Sequence, residues 1–506
     1  MWFSLYHILI ISGGGLKEQS GRVSIFHLHP PHTVIQIPGP ESFRQTKPRN
    51  HAMPTLHEIL KTHWGHTAFL PGQEAIIQSI TTGHDTLAIL ATGGGKSLCY
   101  QLPALYRGGL TLVISPLIAL MKDQADDCNA RGIPAAACTG GLLNREQEVI
   151  TTRMRDGSLR LLFISPEKCL QPMFLELLKQ CDVRLIAIDE AHCISEWGHD
   201  FRPEYRRLSL LKKQFSDVPV IALTATAIPQ VRADIRQQLG LLHAREFTGS
   251  FNRHNLSYRI VKKKNPQIML LDYVARHRDE SGIVYCLSRN STEECAAALR
   301  KKGYAAKAYH AGLSRPVRDE VQDAFIRGTS KIICATVAFG MGIDKADTRY
   351  VIHYDIPKSI ESYYQETGRA GRDGKPAECI LFYSRADIAK MRRLLQIGGG
   401  DAKHQRMAIR KLEEMAAYCE SGDCRRKFLL AYFGEEYSEG NCHSCDTCER
   451  PAPAKRKRKV GVAVSSRPGR SALAPQAVRA SNPTVPAHTF SAEFPLHPLT
   501  VGPHVS

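Results

Sequence analysis

Between residue 54 and about residue 385 the chain repeats one rhythm: a short apolar run, a polar turn, then a longer amphipathic segment. The short runs include Leu87 to Leu90, Thr111 to Ser115, Leu161 to Ser165, Leu185 to Ile188 and Val220 to Leu223. A second series holds Ile283 to Cys286, Ile332 to Ala335 and Tyr350 to Tyr354. Apolar, β-branched runs of this length are strands buried on both faces, and helices between such strands produce parallel sheets. Two series therefore predict two α/β domains, with the break near residues 245 to 260.

A chain of 506 residues exceeds what one core supports, which agrees with two or three domains. Hydrophobic residues at 43% and charged residues at 23% mark a folded globular protein rather than a disordered one. The formal charge of +18 invites a polyanionic partner, but residues 1–53 carry a net +3 and residues 451–506 a net +7. Only +8 is left for the folded part, so charge alone is weak support for nucleic acid. The apolar start Trp2 to Ile11 is too short to span a bilayer and runs into Gly13-Gly14-Gly15, so no membrane partner is expected. The Pro-, Gly-, Ser- and His-rich residues 1 to 52 fit either a true start at Met53 or a disordered arm.

The first short run leads into Ala91-Thr92-Gly93-Gly94-Gly95-Lys96-Ser97, in the order strand, glycine loop, helix start. Glycines let backbone N–H groups close around phosphate oxygens, and the helix N-terminus adds positive potential. Lys96 is placed to reach the β and γ phosphates and Ser97 to ligate Mg²⁺. The strict loop pattern wants glycine at position 90, where this chain has Leu90. A purely structural three-glycine loop is the bland alternative, and the Lys-Ser that follows weighs against it.

About ninety residues later the run Leu185 to Ile188 ends in Asp189-Glu190-Ala191-His192. Phosphoryl transfer to water needs one carboxylate at the metal and one group to orient the water. Asp189 is assigned the first role and Glu190 the second. Adjacent acids at a strand end are otherwise a turn or a helix cap.

The fifteen cysteines are scattered through apolar segments, as reduced thiols are, with one exception. Cys424, Cys442, Cys445 and Cys448 supply four thiolates with the short turns that tetrahedral Zn²⁺ requires. Four protein ligands leave no open position, so the site is structural. Cys419 is assigned to a helix, and His443 to the surface.

These motifs, with Thr224-Ala225-Thr226 and Gln365 to Arg372, resemble the superfamily 2 helicases. Four further stretches narrow the resemblance to the RecQ helicases: Ala191 to Tyr205, Phe69 to Gln73, Phe339 to Lys345 and Gly368 to Gly374. The match runs from about residue 56 to residue 450, and the four cysteines follow the family's order.

The resemblance implies two RecA-like parallel-sheet domains of the P-loop NTPase type, followed by a small helical zinc-binding subdomain. The implied domains are 53–250 and 251–385, then zinc subdomain 386–450, between extensions 1–52 and 451–506. ATP would lie between the lobes on Gln73, Thr92, Gly93, Gly94, Gly95, Lys96 and Ser97. Arg369 and Arg372 would reach its phosphates from the second lobe, with Mg²⁺ on Ser97 and Asp189.

Trp197, His199, Phe201 and Arg202 lie on the aromatic-rich loop that is expected to bind DNA by base stacking. A lone tryptophan is more often core, but Gly198, Asp200 and Pro203 mark a loop. The implied activity is ATP-dependent, 3'-to-5' translocation on single-stranded DNA and unwinding of forked duplex, in recombination and repair. The expected location is the bacterial cytoplasm with the nucleoid, or the nucleus in a eukaryote.

Two departures stand out. The family usually continues into a winged helix and a small helical domain, where this chain has a tail opening on Lys455-Arg456-Lys457-Arg458-Lys459. The family's arginine before Pro-Gly-Gln is Leu70 here, with His66 the nearest candidate for the base. An RNA-directed motor and a dead ATPase are the rivals. The aromatic loop and zinc ligands favour DNA by resemblance, and intact Lys96, Glu190 and Arg372 favour an active ATPase.

Overall fold

Strands β1 (Thr86–Ile89), β2 (Leu110–Ile114), β3 (Ala135–Cys138), β4 (Leu161–Ile164), β5 (Val183–Ile188), β6 (Val220–Thr224) and β7 (Arg245–Thr248) form a seven-stranded sheet. Its order is β3-β4-β2-β5-β6-β1-β7. Strands β8 (Leu256–Lys262), β9 (Ser281–Tyr285), β10 (Ala306–Tyr309), β11 (Ile332–Ala335), β12 (Thr348–His353) and β13 (Ala377–Tyr383) form a second sheet, ordered β10-β11-β9-β12-β13-β8. Every pairing in both is parallel. The computed structural model describes residues 54–139, 144–198, 200–340, 345–397 and 402–449. Two parallel-sheet RecA-like lobes are thus present, as the two series of apolar runs imply.

Alternation along each strand divides its side chains between two cores. Along β1 and the residue after it, Leu87 and Ile89 join one core, while Ala88 and Leu90 join the core on the opposite face. The second sheet splits in the same way, with Ile283 and Tyr285 against Val284 and Cys286. Each fully buried leucine or isoleucine contributes roughly 1.5–3 kcal/mol, which is why unbroken apolar runs select central strands.

The runs singled out in the sequence do not include β3, β7, β8, β10 and β13. Four of these five, all but β13, are sheet edges. At an edge one flank faces solvent and the apolar requirement relaxes, as in Arg245–Thr248, where no residue is fully buried.

Residues 249–255 link the last strand of the first sheet, ending at Thr248, to the first strand of the second, beginning at Leu256. After the second sheet come helices Arg385–Ile397, Ala402–Glu420 and Arg425–Tyr432, then the cysteine turn. The first helix, Leu56–Trp64, begins at a Thr55 capping box with Glu58, which is the start the sequence places after Met53-Pro54-Thr55. Among the described residues no helix is long and apolar enough to cross a membrane.

Candidate nucleotide site and zinc centre

The sheet order brings three chemical loops into one row. Strand β1 lies beside β6, and β6 beside β5, so their carboxyl ends are neighbours. These ends carry the glycine loop, Thr224-Ala225-Thr226 and Asp189-Glu190 respectively, where parallel sheets bind their ligands.

In the glycine loop Gly93 (φ 83°) and Gly95 (φ 68°) occupy the left-handed region that favours glycine. Helix Leu98–Arg107 starts immediately after Ser97. Gln73 holds the loop from outside, its Nε2 donating to Gly95 O at 3.1 Å while its Oε1 accepts from Leu70 N at 2.8 Å. Beside it opens a cavity of about 770 Å³ lined by Trp64, His66, Leu70, Gln73 and Ser97 among others. Gln124, on helix Ile118–Ala130, donates to Ser97 Oγ at 3.1 Å and accepts from the Tyr100 hydroxyl.

Asp189 and Glu190 are both buried. Burial pushes the Asp189 carboxyl up, the charge of Glu190 adds to this, and Lys96 pulls it down. Burial pushes Glu190 up as well, but the hydrogen bond and charge of His192, with Lys96 and Arg369, hold it below the ordinary carboxylate value. His192 Nδ1 lies 2.9 Å from Thr224 Oγ1 and 3.2 Å from Glu190 Oε2, joining the acid pair to the end of β6. The Tyr205 hydroxyl donates to Asp189 O at 3.1 Å. Glu190 itself adopts φ 48°, a conformation that costs a side-chain-bearing residue on the order of 1–3 kcal/mol and is found at functional sites.

The second lobe supplies the facing loop. Helix Ile360–Thr367 is capped by Ser359 and anchored by Glu366 Oε2, 2.7 Å from His353 Nε2. It ends directly before Gly368-Arg369-Ala370-Gly371-Arg372. A Cβ on Gly93 would fall 3.7 Å from Arg372 Cγ, so this arginine lies over the glycine loop. Arg369 is 4% exposed and lowers the pKa of Glu190 by its charge. Thr92 Oγ1 and Arg369 Nε are both buried without a hydrogen-bond partner. A glycine cradle, orphaned donors from two lobes and a buried acid pair suit a polyphosphate with its cation.

Trp197 is half-buried and packs against the main core. Phe201 stacks on His404 of helix Ala402–Glu420, with ring centroids 5.2 Å apart, and Arg206 covers it 5.1 Å from the centroid. Glu196 on the same loop pairs with Lys403 at 2.5 Å. Arg202 donates to Pro116 O and to Asp200. His199 lies outside the described residues, as do residues 1–53 and 450–506.

The Sγ atoms of Cys424, Cys442, Cys445 and Cys448 lie within 4.8 Å of one another. Zn–S bonds of about 2.3 Å put tetrahedral thiolates roughly 3.8 Å apart, so the set is preformed. Burial pushes the Cys445 thiol up, but Thr447 Oγ1 at 3.1 Å and the backbone N–H groups of Arg425 and Cys448 bring it below its ordinary value. Arg425 pairs with both Asp446 carboxylate oxygens at 2.9 and 3.2 Å and fixes the turn. Cys419 is buried on its helix and His443 is exposed, neither in the cluster.

Comparison with known proteins points the same way along the chain. Residues 70–235 match the DEAD/DEAH box helicase model, 265–374 the helicase conserved C-terminal domain and 385–449 the RecQ zinc-binding model. The chain is 47% identical over 398 residues to the ATP-dependent DNA helicase RecQ of Haemophilus influenzae, covering 79% of this chain and 64% of that protein. It is 43% identical over 392 residues to the Bacillus subtilis protein of the same name, covering 77% and 66%. It therefore spans just under two thirds of the length of these curated relatives. Among solved structures, Mycobacterium smegmatis helicase Lhr bound to ssDNA and AMP-PNP aligns with a TM-score of 0.52 at 21% identity, covering 72% of this chain and 57% of Lhr. S. cerevisiae Dbp5 bound to RNA aligns with a TM-score of 0.53 at 16% identity, covering 70% and 97%. At these identities the two structures support the fold alone.

Proposed function

Because the chain belongs to the RecQ-type superfamily 2 helicases, we propose that it is an ATP-dependent DNA helicase that moves 3'-to-5' on single-stranded DNA. The observation that carries this reading is the meeting of the glycine loop and the arginine loop beside Asp189 and Glu190. Thr92 to Gly95 and Lys96 hold the phosphates, and Gln73 lies where the base-side cavity begins. Ser97 and Asp189 hold Mg²⁺, which when bound neutralises charge on the phosphate oxygens. Glu190 orients the attacking water, and Arg369 and Arg372 stabilise the charge that develops on the transferred group.

The aromatic-rich stretch starts at Ala191, directly after Glu190 in sequence, so strand binding at Trp197, His199, Phe201 and Arg202 would shift the acid pair. Forked duplex DNA with a single-stranded tail is the proposed substrate, and recombination and repair the proposed setting, in the cytoplasm of a bacterium or the nucleus of a eukaryote. Cys424, Cys442, Cys445 and Cys448 hold one structural Zn²⁺.

Unwinding of labelled forks, made in DNA and in RNA and carrying tails of either polarity, tests this reading. ATP-dependent opening of the DNA fork with a 3' tail is expected, with the Lys96→Ala variant inactive but still binding strand. Preference for the RNA fork, or opening without ATP, would refute it.

A further inference from the structure

Arg253 lies in the linker between the lobes, and its guanidinium touches both phosphate-side loops. Nη1 donates to Thr92 O in the glycine loop at 2.9 Å and reaches Gly368 O at 3.4 Å. Nη2 donates to Ala370 O at 3.0 Å and Gly371 O at 2.9 Å. One planar cation thus gathers carbonyl oxygens from two lobes, which the fixed fork of an arginine suits and a lysine ammonium does not.

The linker is held from behind by the zinc module. Arg426, 4% exposed, donates from Nη1 to Asn252 Oδ1 at 2.6 Å and Arg253 O at 2.7 Å. Its Nη2 donates to Leu256 O at 2.6 Å and Ser444 Oγ at 3.1 Å. Arg426 follows Cys424 by two residues, and Ser444 lies between Cys442 and Cys445. Glu435, just past the same helix, accepts from Ser250 Oγ at 2.5 Å and Phe251 N at 2.6 Å. Phe251 and Phe433 stack with centroids 4.6 Å apart and planes 8° from parallel.

We infer that Arg253 is a positioning residue for ATP hydrolysis, and that Arg426 is the link through which the zinc module sets its place. The inference rests on the ATPase reading above. Arg253 bonds to protein carbonyls rather than to reacting atoms, so its effect is to fix Arg369 and Arg372 over the glycine loop. The linker cannot swing freely between the lobes while Arg426 holds Asn252, Arg253 and Leu256. The zinc cluster thereby acts on hydrolysis as well as on its own fold, with the linker as the connecting part.

The test compares the full chain with its Arg253→Ala, Arg253→Lys and Arg426→Lys variants and with the Arg253→Ala/Arg426→Lys double variant. Strand-stimulated kcat, affinity for a fluorescent ATP analogue and zinc content are measured for each. Misplacement of about 1 Å costs on the order of 100-fold, so Arg253→Ala should lower kcat roughly 10- to 100-fold while nucleotide Kd changes less than about threefold. Arg253→Lys should recover only part of the loss.

Arg426→Lys should keep its zinc and lower kcat, and the double variant should fall no further than Arg253→Ala alone, because both act along one path. If Arg426→Lys does not fold, Asn252→Ala removes one of the acceptors of Arg426 and carries the same expectation. An active wild type with unchanged kcat in Arg253→Ala, or losses that multiply in the double variant, would overturn the inference. A wild type without ATPase would instead overturn the functional reading itself.

Discussion

Gly368 of the second lobe packs on Thr92 of the first so closely that a Cβ on Gly368 would fall 2.8 Å from Thr92 Cβ and 3.1 Å from Thr92 Oγ1. Gly368 has an ordinary right-handed helical backbone, φ −62° and ψ −5°, so alanine is excluded there by the contact and not by conformation. Gly368→Ala should therefore leave thermal stability nearly unchanged and hold the lobes slightly apart. Strand-stimulated ATP turnover is expected to fall about tenfold or more, since transition-state charge stabilisation depends on closely placed donors. Nucleotide affinity should stay within a few-fold, because the contact bears on the Thr92 side chain and leaves the glycine N–H groups and Lys96 in place. Turnover equal to wild type in a steady-state assay would show that hydrolysis does not need this contact.

The zinc centre makes a second expectation. Structural zinc contributes apparent binding free energies of about 10–16 kcal/mol in small zinc domains, and that energy is folding energy for whatever the metal organises. Cys445 is the buried ligand, and its backbone pairs with Tyr258 at the start of the second sheet. Cys445→Ser should lower zinc from about one ion per chain toward none and reduce the melting temperature. Elemental analysis beside calorimetry checks both. A zinc-free protein that melts with wild type would remove the metal from the fold.

Both of these sites were legible in the sequence because each is written in consecutive or closely spaced residues. The glycine loop, Asp189-Glu190, Gly368 to Arg372 and the four cysteines need only local geometry to be recognised. What joins them was not legible. Arg253 reaches Thr92 across 161 positions, and Gln124 reaches Ser97 across 27, with no spacing rule to connect either pair. Such contacts arise from sheet order, which periodicity does not reveal. The same reasoning covers the strands: most central ones announce themselves by unbroken apolar runs, β13 with Glu378 inside it being the exception, whereas the edge Arg245–Thr248 has no fully buried residue and the edge Ala306–Tyr309 is interrupted by Lys307. For Phe201, sequence neighbours suggested an open loop, and only the fold reveals His404 against its ring.

Trp197 separates two readings of that loop. It is half-buried and packed on the core, yet it lies on the segment expected to meet unpaired bases. Stacking on a base is worth about 1–3 kcal/mol, so Trp197→Ala should weaken single-strand binding roughly 5- to 150-fold. Fluorescence anisotropy with a labelled strand measures this directly. Unchanged affinity together with a loss of about 3–5 kcal/mol in unfolding free energy would assign the ring to the core instead.

Lys411 and Glu361 form a buried ion pair between helix Ala402–Glu420 and helix Ile360–Thr367, with side chains 9% and 1% exposed. The second of these helices runs straight into Gly368, so the pair ties the zinc module to the arginine loop. Tyr418 and Tyr363, on the same two helices, pack with ring centroids 5.5 Å apart. Two charges removed from water are costly, and their attraction repays the cost only while both are present. Lys411→Met would leave the Glu361 carboxylate buried without its cation, an expected loss of about 3–5 kcal/mol in unfolding free energy. Glu361→Leu should cost a similar amount. The double variant replaces the pair with apolar groups of similar volume and should regain most of the loss, a coupling that urea titration of all four proteins resolves. The pair is shielded from solvent, so the coupling should change little between low and high salt. A Lys411→Met variant as stable as wild type, or a coupling that disappears in salt, would mean that water reaches these two side chains in solution.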